Sequence, residues 1–238
     1  MSAKRILENT ILILLSFSAL HANEPTRLKN VWEIGFTFGE IPFLAGSFKP
    51  GVSIGYHVNE YVSFTSTFQL TDKISRNASS FNARNIGLDG LTSSKETTGE
   101  RILLAVQLRP VEWSPYLVAG FVFNAEDIET MHFDQRVRQI GSNTYDSQVT
   151  IVQSRKNGFV PAFGFGYRYD FDNGVSLNTN IAAGVFTGIP RPEAKITSTV
   201  PISEGDESQL QQTIQSVYKD NFHNHYHIFN LGVSYRLQ

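Results

Sequence analysis

Four arginines and two acids fall where buried-charge chemistry would need them: Arg101, Arg109, Arg168 and Arg236, with Glu33 and Asp170. Each sits on the polar side of an alternating segment. Such a set can pair off to hold a packed interior, because an unpaired buried charge is very costly. It can also line a narrow anion-preferring passage, since arginines outnumber acids. The residues favour the first reading. A second group is His223, His225 and His227, at spacing two in Phe222-His223-Asn224-His225-Tyr226-His227. In an extended chain they share one side, and neutral imidazoles can bind a divalent metal. His227, however, has the parity of Leu231 and Tyr235, on an apolar face, which makes interfacial polar residues the better reading. A hydrolytic site needs serine, histidine and an acid placed together. His57 and Ser53 share a face with nothing to single them out, His227 has no serine beside it, and Ser234 points the other way. The pairs Gly35/Gly39 and Gly164/Gly166 open no helix and lack a third glycine, so neither is a dinucleotide loop. The chain reads as non-enzymatic, with no cofactor and no metal.

What would position these residues is a series of strands. The last stretch, 230–237, alternates Leu231, Val233, Tyr235 and Leu237 with Asn230, Gly232, Ser234 and Arg236. Period two marks a strand with one apolar and one polar face. The same pattern recurs over 32–38, 48–58, 62–70, 101–109, 113–124, 159–171 and 175–185. In 159–171, Phe159, Phe163, Phe165, Tyr167 and Tyr169 oppose Ala162, Gly164, Gly166, Arg168 and Asp170. Tight turns are expected at 58–60, 110–112 and 172–174, the last an Asp-Asn-Gly. The connections 71–99, 125–157 and 188–226 are long and polar and read as loops. Within the third, Leu210, Ile214, Val217 and Tyr218 follow Asp206-Glu207 at helical spacing, which predicts a short amphipathic helix before the last strand.

Composition narrows the class. The chain has 238 residues, no cysteine, a net charge of −2, nine tyrosines and eighteen phenylalanines. Disulfides and thiolate metal sites are excluded. A near-neutral balance without basic runs argues against nucleic acid. Lys4 and Arg5, a short apolar core over 11–20, and Ala22 read as a secretory signal peptide over 1–22, leaving 23–238 as the mature domain. No stretch reaches the ~20 apolar residues that a helical membrane span requires.

Eight strands, with long and short connections in alternation, fit a closed antiparallel barrel with all its long loops at one end. The polar side is rich in glycine and small residues. That suits the bore of an eight-stranded barrel, which side chains just fill, and puts the apolar side outward. Tyr56, Trp113, Tyr167, Tyr169 and Tyr235 cluster toward the tight-turn end, where an interfacial girdle would lie. In this architecture, and in its final strand, the chain resembles the small Gram-negative outer-membrane β-barrels of the OmpA, OmpX and OmpW kind. Asn230, Gly232, Tyr235 and Leu237 resemble their C-terminal assembly signal, although Leu237 is not aromatic and Gln238 follows it. The resemblance implies an all-β, eight-stranded transmembrane barrel with short periplasmic turns. It implies an outer-membrane location, lipid and lipopolysaccharide as surroundings, and the barrel-assembly machinery as a partner. The expected role is a packed polar interior presenting external loops to an unknown ligand. The alternative is a narrow channel or transporter for small solutes or apolar molecules.

Overall fold

The computed structural model describes residues 29–39, 49–80, 86–110, 115–184, 192–220 and 226–237. The expected signal peptide, Trp113, His223 and His225 lie outside the described residues. Among the described residues, thirteen strands and one helix follow in chain order: β1 (Val31–Gly39), β2 (Lys49–His57), β3 (Val62–Gln69), β4 (Asp72–Asn77), β5 (Leu91–Thr98), β6 (Arg101–Leu108), β7 (Tyr116–Asn124), β8 (Asp127–Ile140), β9 (Asn143–Arg155), β10 (Gly158–Asp170), β11 (Val175–Gly184), β12 (Glu193–Ser198), α1 (Glu204–Asp220) and β13 (Tyr226–Leu237).

Eight strands close into a barrel in the order β1-β13-β11-β10-β7-β6-β3-β2. The last strand closes on the first, with Trp32 opposite Leu237 and Phe38 opposite Leu231. No edge is left unpaired in this ring. Alternation sets the two faces. Phe36 is 72% exposed and Phe165 62%, whereas Lys49 and Asn230 are fully buried. In the alternating barrel strands the apolar side therefore points out and the polar side points in, while β7 is apolar on both sides. Short connections are built locally. Asn59 Oδ1 accepts from the amides of Tyr61 and Val62 at 2.9 and 2.8 Å, an Asx turn between β2 and β3. Between β10 and β11, Gly174 takes a φ of +85°, a conformation open to glycine.

The long connections are not loops. Strands β12-β9-β8-β5-β4 form a second, five-stranded sheet beyond one end of the barrel. It has its own core: Met131, Phe133, Val149 and Ile151 pack against Leu210 and Ile214 of α1 and against Ile86. Alternation is masked there for three reasons. Strand β9 carries Val149 and Ile151 on one face and Val152 on the other. The β8–β9 register slips between Phe133 and Arg136, breaking the phase. The covered face also includes Ser94, Glu129, Ser147 and Gln153, all buried.

The helix lies where its spacing placed it and docks on this sheet. Its first turn carries Glu204, Asp206 and Glu207, which favour a helix N-terminus. The Asp206 amide donates to Ser203 Oγ at 3.3 Å, and the Ser203 hydroxyl donates back to the Asp206 carboxylate at 2.8 Å. This reciprocal pair caps the helix. Burial of Leu210 and Ile214 contributes about 2 kcal/mol each, and packing of an apolar face of this kind supplies most of a protein helix's stability.

Candidate functional site

The bore is filled in layers. At the tight-turn end, β1 supplies Glu33, β2 His57, β10 Arg168 and Asp170, β11 Ser176, and Arg109 follows β6. Strands β10 and β2 stand opposite each other in the ring. Arg168 spans the gap between these walls. Its guanidinium pairs with Glu33, lies 3.2 Å from His57 Nε2, and donates to Asp170 at 2.7 Å and to Ser176 Oγ at 2.6 Å. His57 Nε2 is 3.2 Å from Glu33, and Arg109 is 3.9 Å from Asp170. Each acid thus faces at least one guanidinium, which is what permits charge in a closed interior.

Two of the six expected charge-cluster residues lie elsewhere. Arg236 donates to the carbonyls of the β10–β11 turn, Phe171 O at 2.7 Å and Gly174 O at 3.4 Å. It fastens the last strand to that turn rather than neutralising an acid. Arg101 is at the opposite end of the bore, where it donates to Asn124 Oδ1 at 2.6 Å and to His227 O at 3.0 Å.

Above the charge layer is a cavity of about 20 Å³, bordered by Glu33, Thr37, Thr67, Gln107, Arg168 and Asn178. That is room for one water. The Tyr116 ring closes it from the side, lying against Gly166, where an added Cβ would sit 2.3 Å from the ring. Next comes an amide relay: Gln69 Nε2 donates to Asn230 at 2.7 Å, and Asn230 Nδ2 donates to Asn180 at 2.9 Å. The expectation of a wholly polar interior needs correction at the following layer. Leu103, Val118, Val122, Val160, Ala182 and Ile228 form a buried apolar core inside the bore. They occupy inward positions of β6, β7, β10, β11 and β13; of these, β7 is apolar on both faces, as 113–124 is in the sequence.

At the end next to the second sheet, Lys49 donates to Gly99 O. Asp127 pairs with Arg155 and accepts from the Gly99 amide at 2.8 Å. Burial raises the Asp127 carboxyl and the Arg155 and Arg101 guanidiniums lower it, for a net value below the usual range. Of the final-strand residues, Asn230 and Gly232 face the bore, while Tyr235 and Leu237 are exposed on the outer wall. His227 is also exposed on that wall.

No family profile matches the chain, and no curated protein matches it in sequence. Solved structures do match. The crystal structure of Acinetobacter baumannii CarO agrees with a TM-score of 0.54 at 16% identity, over 85% of this chain and 96% of that one. Acinetobacter baumannii CarO2 agrees with a TM-score of 0.58 at 14% identity, over 87% and 98%. The fold is that of a small outer-membrane β-barrel. In such a barrel the exposed aromatics have a place. Trp32 and Tyr56, with ring centroids 4.9 Å apart, sit on the outer wall at the tight-turn end, where interfacial aromatics collect.

Sequence reasoning places His57 on the inward face with Glu33 and Arg168, where the structure finds it, and does not single out Tyr116, Gln69, Asn180 or Ser176 as parts of the packed bore. Their signal was present, since each has inward parity. Nothing in the local sequence says which inward residues meet across a closed ring.

Proposed function

We propose that this protein is a non-enzymatic outer-membrane barrel whose working part is the external sheet-and-helix module, with the barrel as its anchor. One observation carries the reading: apart from a cavity the size of one water, the described bore is filled by side chains, while the chain continues past it into a second sheet with a core of its own. A bore crossed by Arg168 and filled above by Leu103, Val122 and Val160 is built for rigidity. A rigid wall positions an external binding surface. Asn230, Gly232, Tyr235 and Leu237 act on this reading as the assembly signal presented to the barrel-assembly machinery, and lipid with lipopolysaccharide surrounds the outer wall.

Fractionation and bilayer recording test it together. The protein is expected in the outer-membrane fraction, with an SDS mobility that changes on boiling. In planar bilayers the purified chain is expected to give no reproducible single-channel steps. Steps that change on Arg168→Ala would replace this reading with the narrow channel.

A further inference from the structure

The back of the external sheet is basic, and it faces sideways along the barrel wall. Its orientation follows from the strands it grows out of. The face carrying Asp127 and Arg155 meets residues that line the bore. Asn124 Nδ2 donates to Asp127 at 3.0 Å, and the Arg155 guanidinium lies 4.7 Å from the centroid of the Tyr226 ring. That face continues the lumen, so the opposite face continues the outer wall.

Register places Lys73 in one row of this opposite face with Glu193, and Lys95 in the next row with Lys195. The positions between them are Ser and Thr, apart from Ile128 and Val152. All three lysines are exposed. Among the described residues of these rows Glu193 is the only acid, and Lys156 neutralises it at 2.7 Å. Lys95 and Lys195 are three strand spacings apart, about 14 Å. Lys73 stands three residues past Leu70, an exposed apolar residue of the outer wall, so about 10 Å beyond it.

We propose that this face binds the phosphate groups of the lipopolysaccharide headgroups surrounding the barrel. The proposal rests on the outer-membrane reading above. The lysines lie laterally, just beyond the apolar band, at the level where anionic headgroups stand. Ammonium groups supply point charges for phosphate, and the serine and threonine hydroxyls between them supply donors for sugar oxygens. A lysine near an anionic lipid surface contributes roughly a fivefold gain in binding, so three contribute about 100-fold.

The full chain, refolded in zwitterionic detergent, is titrated with lipopolysaccharide and with the same lipopolysaccharide after enzymatic dephosphorylation. Folding of each variant is read from boiling-dependent SDS mobility. The variant Lys73→Gln/Lys95→Gln/Lys195→Gln is expected to bind the phosphorylated form about 100-fold more weakly. Dephosphorylated lipopolysaccharide is expected to bind the unaltered protein as weakly as the triple variant binds the native form. Lys29→Gln, at the far end of the barrel, is expected to bind as the unaltered protein does. The proposal is overturned by a folded triple variant that binds normally, by dephosphorylated material that binds as tightly as native, or by an equal loss in Lys29→Gln. Membrane fractionation of the same cells reads location separately. Absence from the outer membrane would sink the location; presence there without phosphate-dependent binding would sink this inference alone.

Discussion

The Tyr145 hydroxyl donates to the Asp206 carboxylate at 2.6 Å and joins helix α1 to the β8–β9 hairpin. The same carboxylate accepts from the Asn143 side chain at 2.7 Å and the Ser142 amide at 2.8 Å. Gly141 makes room for this junction: its φ is +60°, and an added Cβ would meet Asp206 Oδ1 at 2.3 Å. One acid thus caps a helix and fixes the turn it docks against.

A pH dependence follows from that acid. Tyr145 first, then Asn143 and the Ser142 amide, hold the Asp206 carboxyl far below the usual carboxylate range. A group depressed on folding stabilises fully above its unfolded value of about 3.9 and loses that contribution as pH falls toward the folded value. Amide exchange in α1 is therefore expected to be equally protected at pH 7 and 5, after correction for intrinsic rates, and to lose protection below pH about 4. In Asp206→Asn the protection should be lower at neutral pH and lose its acid dependence. An Asp206→Asn helix as protected as the original at pH 7 would refute the clamp.

Arg168 tests the charge layer. Removing it leaves Glu33 and Asp170 facing a closed bore without their main counter-ion. Breaking a buried pair from one side costs about 3–5 kcal/mol, whereas replacing a pair by apolar groups of similar volume is often neutral. Arg168→Ala should lower the unfolding free energy, read from urea unfolding in lipid vesicles, by that amount. Adding Glu33→Gln should restore part of it. Equal midpoints for Arg168→Ala and the unaltered chain would show the layer to be structurally idle.

The two surfaces of the continuous wall should respond oppositely to charge. Phe36, on the barrel exterior, is 72% exposed, and an arginine near the midplane of a lipid-facing wall costs about 2–4 kcal/mol. Val152 lies on the outward face of the external sheet, beyond the barrel. Val152→Arg should cost under about 1 kcal/mol. Equal losses for Phe36→Arg and Val152→Arg, measured by unfolding in vesicles, would contradict a spanning barrel with an external sheet.

The difference between those two sites also marks how far the sequence could be read. Phe36, Phe165 and Leu231 stand out because the outer face of the barrel is largely apolar, so alternation survives in most of its strands. All eight barrel strands and their facing were legible for that reason. Thr130, Val152 and Ser154 face water, while Ser147 and Gln153 are buried with Val149 and Ile151; both faces are mixed, and period two disappears. Helix α1 remained legible because Leu210 and Ile214 keep a helical stripe. Contacts across the bore, such as Arg168 with His57, depend on ring closure and have no local signature.

Tyr116 and Gly166 offer the sharpest test of how tightly the bore is filled. The tyrosine comes from β7 and the glycine from the neighbouring β10, directly across the register. The ring occupies the place a side chain at 166 would take, with Cζ 2.3 Å from an added Cβ and Thr179 O 2.6 Å from it on the other side. Gly166→Val must therefore push the ring or the wall, and overpacking of this kind costs about 1–3 kcal/mol. Tyr116→Ala removes a fully buried ring and should cost about 3–5 kcal/mol, the range for large aromatic truncations. If both residues compete for one volume, the double variant refills part of the hole it makes, and should be more stable than the sum of the two losses by 1 kcal/mol or more, about twice the usual additivity error. Simple additivity in urea unfolding would mean that the ring does not rest on Gly166, and that the bore has slack the structure does not show.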